Sequence, residues 1–175
     1  ANRQRPQMYI DHGLDVKATN LCTEIMLHSS EEYTYSCILA SMNLVHWDRI
    51  KDSESVFIAT VFLDCLCQDF ITKSKGVPGL EKVREFTIKG RAIGLGAMGF
   101  HTYLQSKGIP YGSLEAQFLS TKIAKHIHDE SLRASKWLAE KFGEPEWCEG
   151  YGVRNTHRVA YAPTKSTALL MGGVT

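Results

Sequence analysis

The sequence predicts a mixed α/β fold in one domain, on three observations. Its 175 residues are 43% hydrophobic and 22% charged, too apolar for a disordered chain and of single-domain length. Two stretches, residues 53–73 and 113–142, carry helical periodicity bounded by start and stop signals. Near the C-terminal end, alternating residues 158–162 run into a polar loop and then a helix-like start, the strand–loop–helix order of an α/β unit.

In chain order, residues 7–10 fit a strand that turns at Asp11-His12-Gly13. Residues 35–44 fit either a strand or a helix start, and periodicity leaves both open. From Ser53 the pattern is helical. Ser53 or Ser55 can cap it, and Val56, Ile58, Phe62, Leu63, Leu66 and Phe70 fall near helical spacing. Lys73 and Lys75 suit its C-terminal end, Gly76 stops it, and Pro78-Gly79 marks a loop. A second helix is expected over roughly residues 81–105, stopping at Gly108. The third has the clearest signals: Ser113 as cap, Glu115 in the first turn, and a stripe of Leu114, Phe118, Ile123, Ile127, Leu132, Leu138 and Phe142. Gly143 and Pro145 end it.

Charge and cysteine usage exclude several classes. Lysine plus arginine is 20 and aspartate plus glutamate 19, a net charge of 20 − 19 = +1, so neither a basic nucleic-acid arm nor an acidic tail is present. The longest apolar run, residues 56–67, is broken by Thr60 and Asp64 and falls short of the ~20 residues of a membrane span. No nucleic-acid or membrane partner is therefore expected. The cysteines are Cys22, Cys37, Cys65, Cys67 and Cys148. An odd number without Cys-x-x-Cys argues for reduced thiols and a cytoplasmic location rather than a disulfide scaffold or a structural zinc site. His126 and His128 point about 200° apart on a helix and cannot share a metal. The chain opens Ala1-Asn2-Arg3 and stops at Gly172-Gly173-Val174-Thr175 after a helix-like start. Both ends read as cut, so residues 1–175 are expected to form one partial domain of a longer protein.

Three motifs carry chemistry. Gly94-Leu95-Gly96-Ala97-Met98-Gly99 fits the G-x-G-x-x-G dinucleotide fingerprint. That fingerprint needs an apolar strand before it and an acidic residue closing a second strand about 20 positions on. Residues 87–93 are charged and read poorly as a buried strand, so a helix with glycines at a close approach is the expectation. In Asn20-Leu21-Cys22-Thr23-Glu24, an extended or looped backbone would turn an amide, a thiol and a carboxylate to one side. A thiol can act as nucleophile, metal ligand or hydrogen-atom carrier, and a neighbouring carboxylate can move a proton. A buried cysteine beside a surface glutamate is the plain alternative. Pro163-Thr164-Lys165-Ser166-Thr167 combines hydroxyls with a helix start and forms either an anion site or an ordinary cap.

Taken in order, these segments resemble the large (alpha) subunit of class I ribonucleotide reductase. Asn20-Leu21-Cys22-Thr23-Glu24-Ile25 resembles its active-site loop, and Cys37-Ile38-Leu39-Ala40-Ser41-Met42-Asn43-Leu44 its next segment. Arg91-Ala92-Ile93-Gly94-Leu95-Gly96-Ala97-Met98-Gly99 resembles its R-x-I-G-L-G-x-M-G motif. Arg154-Asn155 through Ala160-Tyr161-Ala162-Pro163-Thr164-Lys165-Ser166-Thr167 resembles its phosphate-binding segment. The likeness covers residues 9–175, and the spelling N-L-C-T-E favours class I over class II.

The resemblance implies part of a ten-stranded α/β barrel with long helices and a central finger loop carrying Cys22. It implies that Cys22 becomes a thiyl radical and takes the 3′ hydrogen of the ribose. Glu24 would take the 3′-hydroxyl proton, and Asn20 would hydrogen-bond the substrate hydroxyls. Cys37 would be one half of the dithiol that reduces the 2′ position. Leu21 and Thr23 would line the substrate, and Pro163, Thr164, Lys165, Ser166 and Thr167 would hold its diphosphate. No cofactor or metal is expected on this segment. The radical would come from a metal-containing small (beta) subunit, and allosteric nucleotides would bind outside this stretch. The implied partners are a ribonucleoside diphosphate, the remaining alpha segments, the beta subunit, and thioredoxin or glutaredoxin as reductant. Activity is expected only from the assembled enzyme. The alternatives are a Rossmann-type oxidoreductase built on residues 94–99, which needs a strand at 87–93, and a non-catalytic helical interaction module.

Overall fold

A computed structural model describes residues 5–175; the opening Ala1-Asn2-Arg3 lies outside the described residues. The helices are α1 (Gln7–Asp11), α2 (Trp47–Ile50), α3 (Ser55–Lys73), α4 (Glu81–Gly90), α5 (Phe100–Ser106), α6 (Leu114–Phe142) and α7 (Lys165–Leu170). Two strands, β1 (Ile38–Asn43) and β2 (Ile93–Met98), pair in parallel with Ile38 opposite Ile93 and Asn43 opposite Met98. Val159 joins β2 through a single parallel bridge to Leu95. The mixed α/β class therefore holds.

Residues 7–10, read as a strand, are instead the short helix α1, in which Tyr9 is fully buried. The single helix expected over residues 81–105 is a helix, a strand and a second helix. The charges that made residues 87–93 look unlike a strand belong to the last turn of α4. Arg91 then caps α4 in the left-handed conformation at φ 44°, and the chain enters β2. Gly94 and Gly96 lie in this strand rather than in a helix, and Gly99 opens α5 at φ 77°. Ile93 to Met98 is buried at almost every position, as a parallel strand covered on both faces must be.

On one face of the sheet, Ile93 and Leu95 pack with Trp47, Val56, Leu63, Cys67, Ile123 and Ile127 from α2, α3 and α6. On the other lies a core of Tyr9, Leu27, Phe86, Trp147, Cys148 and Ala160, with Cys37 against it. Trp147 is the hub of the second core: its ring meets Tyr9, Tyr33 and Phe86 edge-on at centroid distances of 5.9, 5.2 and 5.4 Å.

α6 begins and ends where the sequence expects. Ser113 Oγ accepts the Ala116 N–H at 3.1 Å, and Gly143 follows the last turn. Its stripe is only partly buried, however. Ile123, Ile127 and Leu138 face the core, while Leu114, Phe118 and Phe142 are 70%, 75% and 64% exposed. At 3.6 residues per turn Phe118 lies about 140° around the helix from Ile123, so the two cannot share a face. α3 behaves likewise. Val56, Thr60, Leu63, Asp64 and Cys67 are buried, whereas Ile58 and Phe62 are 63% and 58% exposed. Glu54 rather than a serine occupies the α3 cap, with Ser53 Oγ accepting the Ser55 N–H. By length and composition α3 is apolar enough to cross a membrane. Here its inner face packs on the sheet and its Asp64 binds Arg91.

Candidate functional site

Residues 20–25 form a tight turn, the looped rather than the extended of the two expected geometries. The Thr23 N–H donates to the Asn20 carbonyl at 3.0 Å, and Thr23 sits at φ 61°. The turn is closed by Asn20 N–H to the Ile25 carbonyl at 3.3 Å and by Ile25 N–H to Asn20 Oδ1 at 3.2 Å. This geometry raises Leu21, 98% exposed, and Cys22, also exposed, to the tip. Glu24 lies at the base, half-buried, and its Oε2 is shielded from solvent without a hydrogen-bond partner. A carboxylate oxygen held dry and unpaired is costly unless a donor arrives.

Cys37 immediately precedes β1, and its Sγ makes only a weak 3.9 Å contact with the Ile38 carbonyl. Burial pushes its thiol far above the ordinary range, with the charges of Cys67 and Glu24 adding to the effect. Cys37 is therefore a protonated thiol at neutral pH, close enough to Glu24 to feel its charge. Burial likewise pushes Cys67 and Cys148 up to about 12. Glu24 and Cys37, two of the four expected catalytic residues, lie on separate segments, and no hydrogen bond between described residues joins them. Cys22 sits on the same turn as Glu24, at its exposed tip.

Residues 163–167 lead into α7, with Thr164 at its cap and Pro163, Lys165, Ser166 and Thr167 exposed. The helix is not cut by the chain end. It closes at Leu170, where the Gly173 and Val174 N–H groups donate to the Ala168 carbonyl at 3.0 and 3.2 Å. Thr175 then pairs with Thr102 of α5 at 2.9 and 2.8 Å, and Val174 is buried. α7 is thereby held beyond the C-terminal end of β2, the edge where open α/β sheets bind ligands. No hydrogen bond or ion pair between described residues links 163–167 to 20–24.

The glycine motif lacks the dinucleotide turn. The strand that the Rossmann alternative required at residues 87–93 is not there: α4 runs through Gly90, and Gly94 and Gly96 lie inside β2 rather than at a turn after a strand. A Cβ on Gly96 would sit 2.3 Å from the Ala160 carbonyl oxygen, so its space is filled by backbone rather than open to phosphate.

Sequence reasoning missed a buried polar network centred on Asp64, read only as a break in an apolar run. Arg91 donates to both Asp64 oxygens at 2.8 and 2.9 Å and to the Asp64 carbonyl at 2.8 Å. Asn155 Nδ2 donates to Asp64 Oδ1 at 2.9 Å and to the Arg91 carbonyl at 3.0 Å. Ser135 Oγ donates to Asn155 Oδ1 at 2.8 Å, and Arg154 Nε reaches Asp64 Oδ2 at 3.2 Å. Arg91, Arg154 and Asn155, all within the resembling motifs, therefore tie α3, α4 and α6 together rather than line a site. The only local signal was an acidic residue at a core position of an apolar helix.

His157 meets the Tyr9 ring edge-on at a centroid distance of 5.1 Å, and burial pushes its imidazole down to about 4. A depressed folded value means that the neutral ring's contribution is complete above the unfolded value of about 6.5 and is lost as pH falls toward 4. Acidification from pH 7 to pH 5 is expected to cost about 2 kcal/mol through this group. Urea midpoints at the two pH values will report the loss, and His157→Gln will flatten the dependence.

A cavity of about 650 Å³ opens between α6 and the C-terminal ends of the strands, lined by Leu44, Ala97, Phe100, Ile123, Lys125 and Tyr161. None of the expected site residues borders it. Among the described residues no group of three or more His, Cys, Asp or Glu could hold a metal ion.

Comparison with known proteins gives a consistent picture. The family model described as "Ribonucleotide reductase, barrel domain" matches residues 1–151. The chain is 37% identical over 173 residues to the "Ribonucleoside-diphosphate reductase large subunit" of Invertebrate iridescent virus 3, covering 98% of this chain and 27% of that protein. It is 36% identical over 187 residues to the "Vitamin B12-dependent ribonucleoside-diphosphate reductase" of Thermoplasma acidophilum, covering 98% and 22%. Among solved structures, the "Actinobacillus ureae class Id ribonucleotide reductase alpha subunit" superposes with a TM-score of 0.97 at 44% identity, covering 99% of this chain and 34% of that one. The chain thus spans about a quarter to a third of the length of the proteins it matches.

Proposed function

The chain belongs to the ribonucleotide reductase barrel-domain family, and on that footing we propose that residues 1–175 form part of the catalytic barrel of a ribonucleoside-diphosphate reductase large subunit. The assembled enzyme reduces ribonucleotides to deoxyribonucleotides for DNA synthesis. In this reading the full domain is a ten-stranded barrel, and residues 20–25 are the tip of its finger loop.

The reaction follows from the residue types. A sulfur-centred radical on Cys22 takes the ribose 3′ hydrogen: the C–H bond breaks, an S–H bond forms, and the radical moves to carbon. Glu24 accepts the 3′-hydroxyl proton as the 2′-hydroxyl leaves as water. Cys37 and a second thiol from outside this segment supply two electrons and become a disulfide. Cys22 then returns its hydrogen to the 3′ carbon. Asn20 Oδ1 holds the turn, which leaves its NH₂ to meet substrate hydroxyls. Thr164, Lys165, Ser166 and Thr167 meet the diphosphate at the start of α7, where amide N–H groups lack intrahelical acceptors. A metal-bearing beta subunit supplies the initiating radical, and thioredoxin or glutaredoxin re-reduces the disulfide. The spelling of residues 20–24 favours this class I arrangement, and a cytoplasmic location follows from the reduced thiols.

The single observation that carries the reading is the match of the barrel-domain family model to residues 1–151, which contain Asn20, Cys22, Glu24 and Cys37. The Glu24 carboxylate keeps an oxygen free of protein donors, and the Cys37 thiol is held protonated, the form that can give hydrogen. The test is Cys37→Ser in the full-length large subunit with its radical-generating partner. Multiple-turnover deoxyribonucleotide formation is expected to be lost while substrate still binds. Retained turnover would remove Cys37 from the reducing pair.

A further inference from the structure

We propose that Gly94 is a positioning residue for Cys37: its missing side chain sets where that thiol sits on the interior face of the sheet. The proposal rests on the reading of Cys37 as half of the reducing dithiol. Gly94 lies within β2 and not at a positive φ, so glycine is not required there by backbone conformation. What it supplies is space. A Cβ on Gly94 would lie 2.5 Å from Leu39 Cδ2, 2.7 Å from Ala160 Cβ and 3.3 Å from Cys37 Sγ.

These three neighbours cannot yield equally. Ala160 Cβ is fixed to a backbone segment hydrogen-bonded along β2, through Ile93 N–H to the His157 carbonyl at 3.0 Å, Leu95 N–H to the Arg158 carbonyl at 2.9 Å and Ala160 N–H to the Leu95 carbonyl at 3.3 Å. Retreat there breaks the sheet. Leu39 Cδ2 is the far end of a flexible side chain and can rotate. Cys37 Sγ is held by packing rather than by a strong hydrogen bond, so with Ala160 unable to retreat, an added methyl at 94 shifts β2 at that point and passes the crowding on to Leu39 and the thiol. The glycine that resembles a phosphate-binding fingerprint is thereby used to seat a sulfur atom. A displacement of even a fraction of an ångström matters when the thiol must reach a reacting carbon.

The experiment compares Gly94→Ala, Ala160→Gly and the double variant in the full-length large subunit with its radical-generating partner. Three readouts are taken: kcat and KM for a ribonucleoside diphosphate, the rate of Cys37 alkylation by iodoacetamide followed by peptide mapping, and thermal unfolding. Gly94→Ala is expected to lower kcat about 10-fold to 100-fold with KM little changed. It is also expected to alter the alkylation rate of Cys37 while leaving that of Cys148 alone. Ala160→Gly, which removes the rigid neighbour, is expected to restore both in the double variant. Unchanged kcat and Cys37 alkylation in Gly94→Ala overturn the proposal. So does a loss that tracks unfolding and is not rescued by Ala160→Gly, because that is the signature of a structural role. If Cys37→Ser still turns over, the functional reading fails instead, and the alkylation rates still decide whether Gly94 positions the thiol.

Discussion

Cys22→Ser in the assembled enzyme is expected to lower deoxyribonucleotide formation by several orders of magnitude, while the same substitution at Cys65, Cys67 or Cys148 leaves the chemistry in place. The distinction is one of position and of bond chemistry. Cys22 is exposed at the tip of a turn braced by Asn20, with Glu24 at its base. Cys65 is exposed on the outer side of α3, and Cys67 and Cys148 are buried in the two cores. Serine preserves the shape at Cys22 but cannot serve as a hydrogen-atom carrier. Because removing any member of a reacting set costs nearly the whole advantage, the residual rate should approach that of the enzyme without its partner subunit. Steady-state assays on the four serine variants, with thermal unfolding as control, check the result. Full turnover by Cys22→Ser would remove the radical assignment.

Asp64→Ala is expected to destabilise the fold by about 3–5 kcal/mol, the cost of leaving a buried charge without its partner. The Arg91 and Asp64 side chains are only 4% and 5% exposed, and Asp64 also anchors Asn155 and Arg154. Removing the carboxylate strands the Arg91 guanidinium and an Asn155 N–H together. Arg91 also ends α4 in the left-handed conformation, which costs an L-residue about 1–2 kcal/mol that the network must offset. Denaturant unfolding of Asp64→Ala against wild type measures the loss. Replacing the pair together, Asp64→Leu with Arg91→Met, should cost clearly less than the sum of the single changes, since the buried Arg91 guanidinium is then not left without its carboxylate.

The legible parts of the fold were those decided locally. The bounds of α6 follow from a serine hydroxyl at one end and a glycine at the other, both acting within a turn of the helix. β2 was not legible, because its evidence is tertiary. The charges of Lys89 and Arg91 do argue against a strand over residues 87–93, because they close and cap α4; the strand starts only at Ile93, where the glycines hide it. Gly94 and Gly96 look like helix or turn residues until Ala160 is known to close over them. In the same way, the stripes on α3 and α6 mark apolar residues but not which of them meet the sheet.

At the candidate site, the residue types at Asn20, Cys22, Glu24 and Cys37 were readable as a resemblance. The turn at Thr23, which leaves Cys22 exposed and Glu24 half-buried, depends on how this segment packs. Local spacing alone left an extended and a looped backbone open. Asp64 and Ser135 were unreadable for the same reason: each is an isolated polar residue in a helix until Arg91 and Asn155 fold against it.

The central claim is that Cys22 takes the 3′ hydrogen of a ribonucleotide, and substrate deuterated at the 3′ carbon tests it most directly. With the full-length large subunit and its radical-generating partner, kcat/KM for the 3′-deuterated ribonucleoside diphosphate should fall below that for the protiated substrate, and the deuterium should be recovered at the 3′ carbon of the product. Equal rates would contradict the claim, and so would product formed by Cys22→Ser with the same isotope retention.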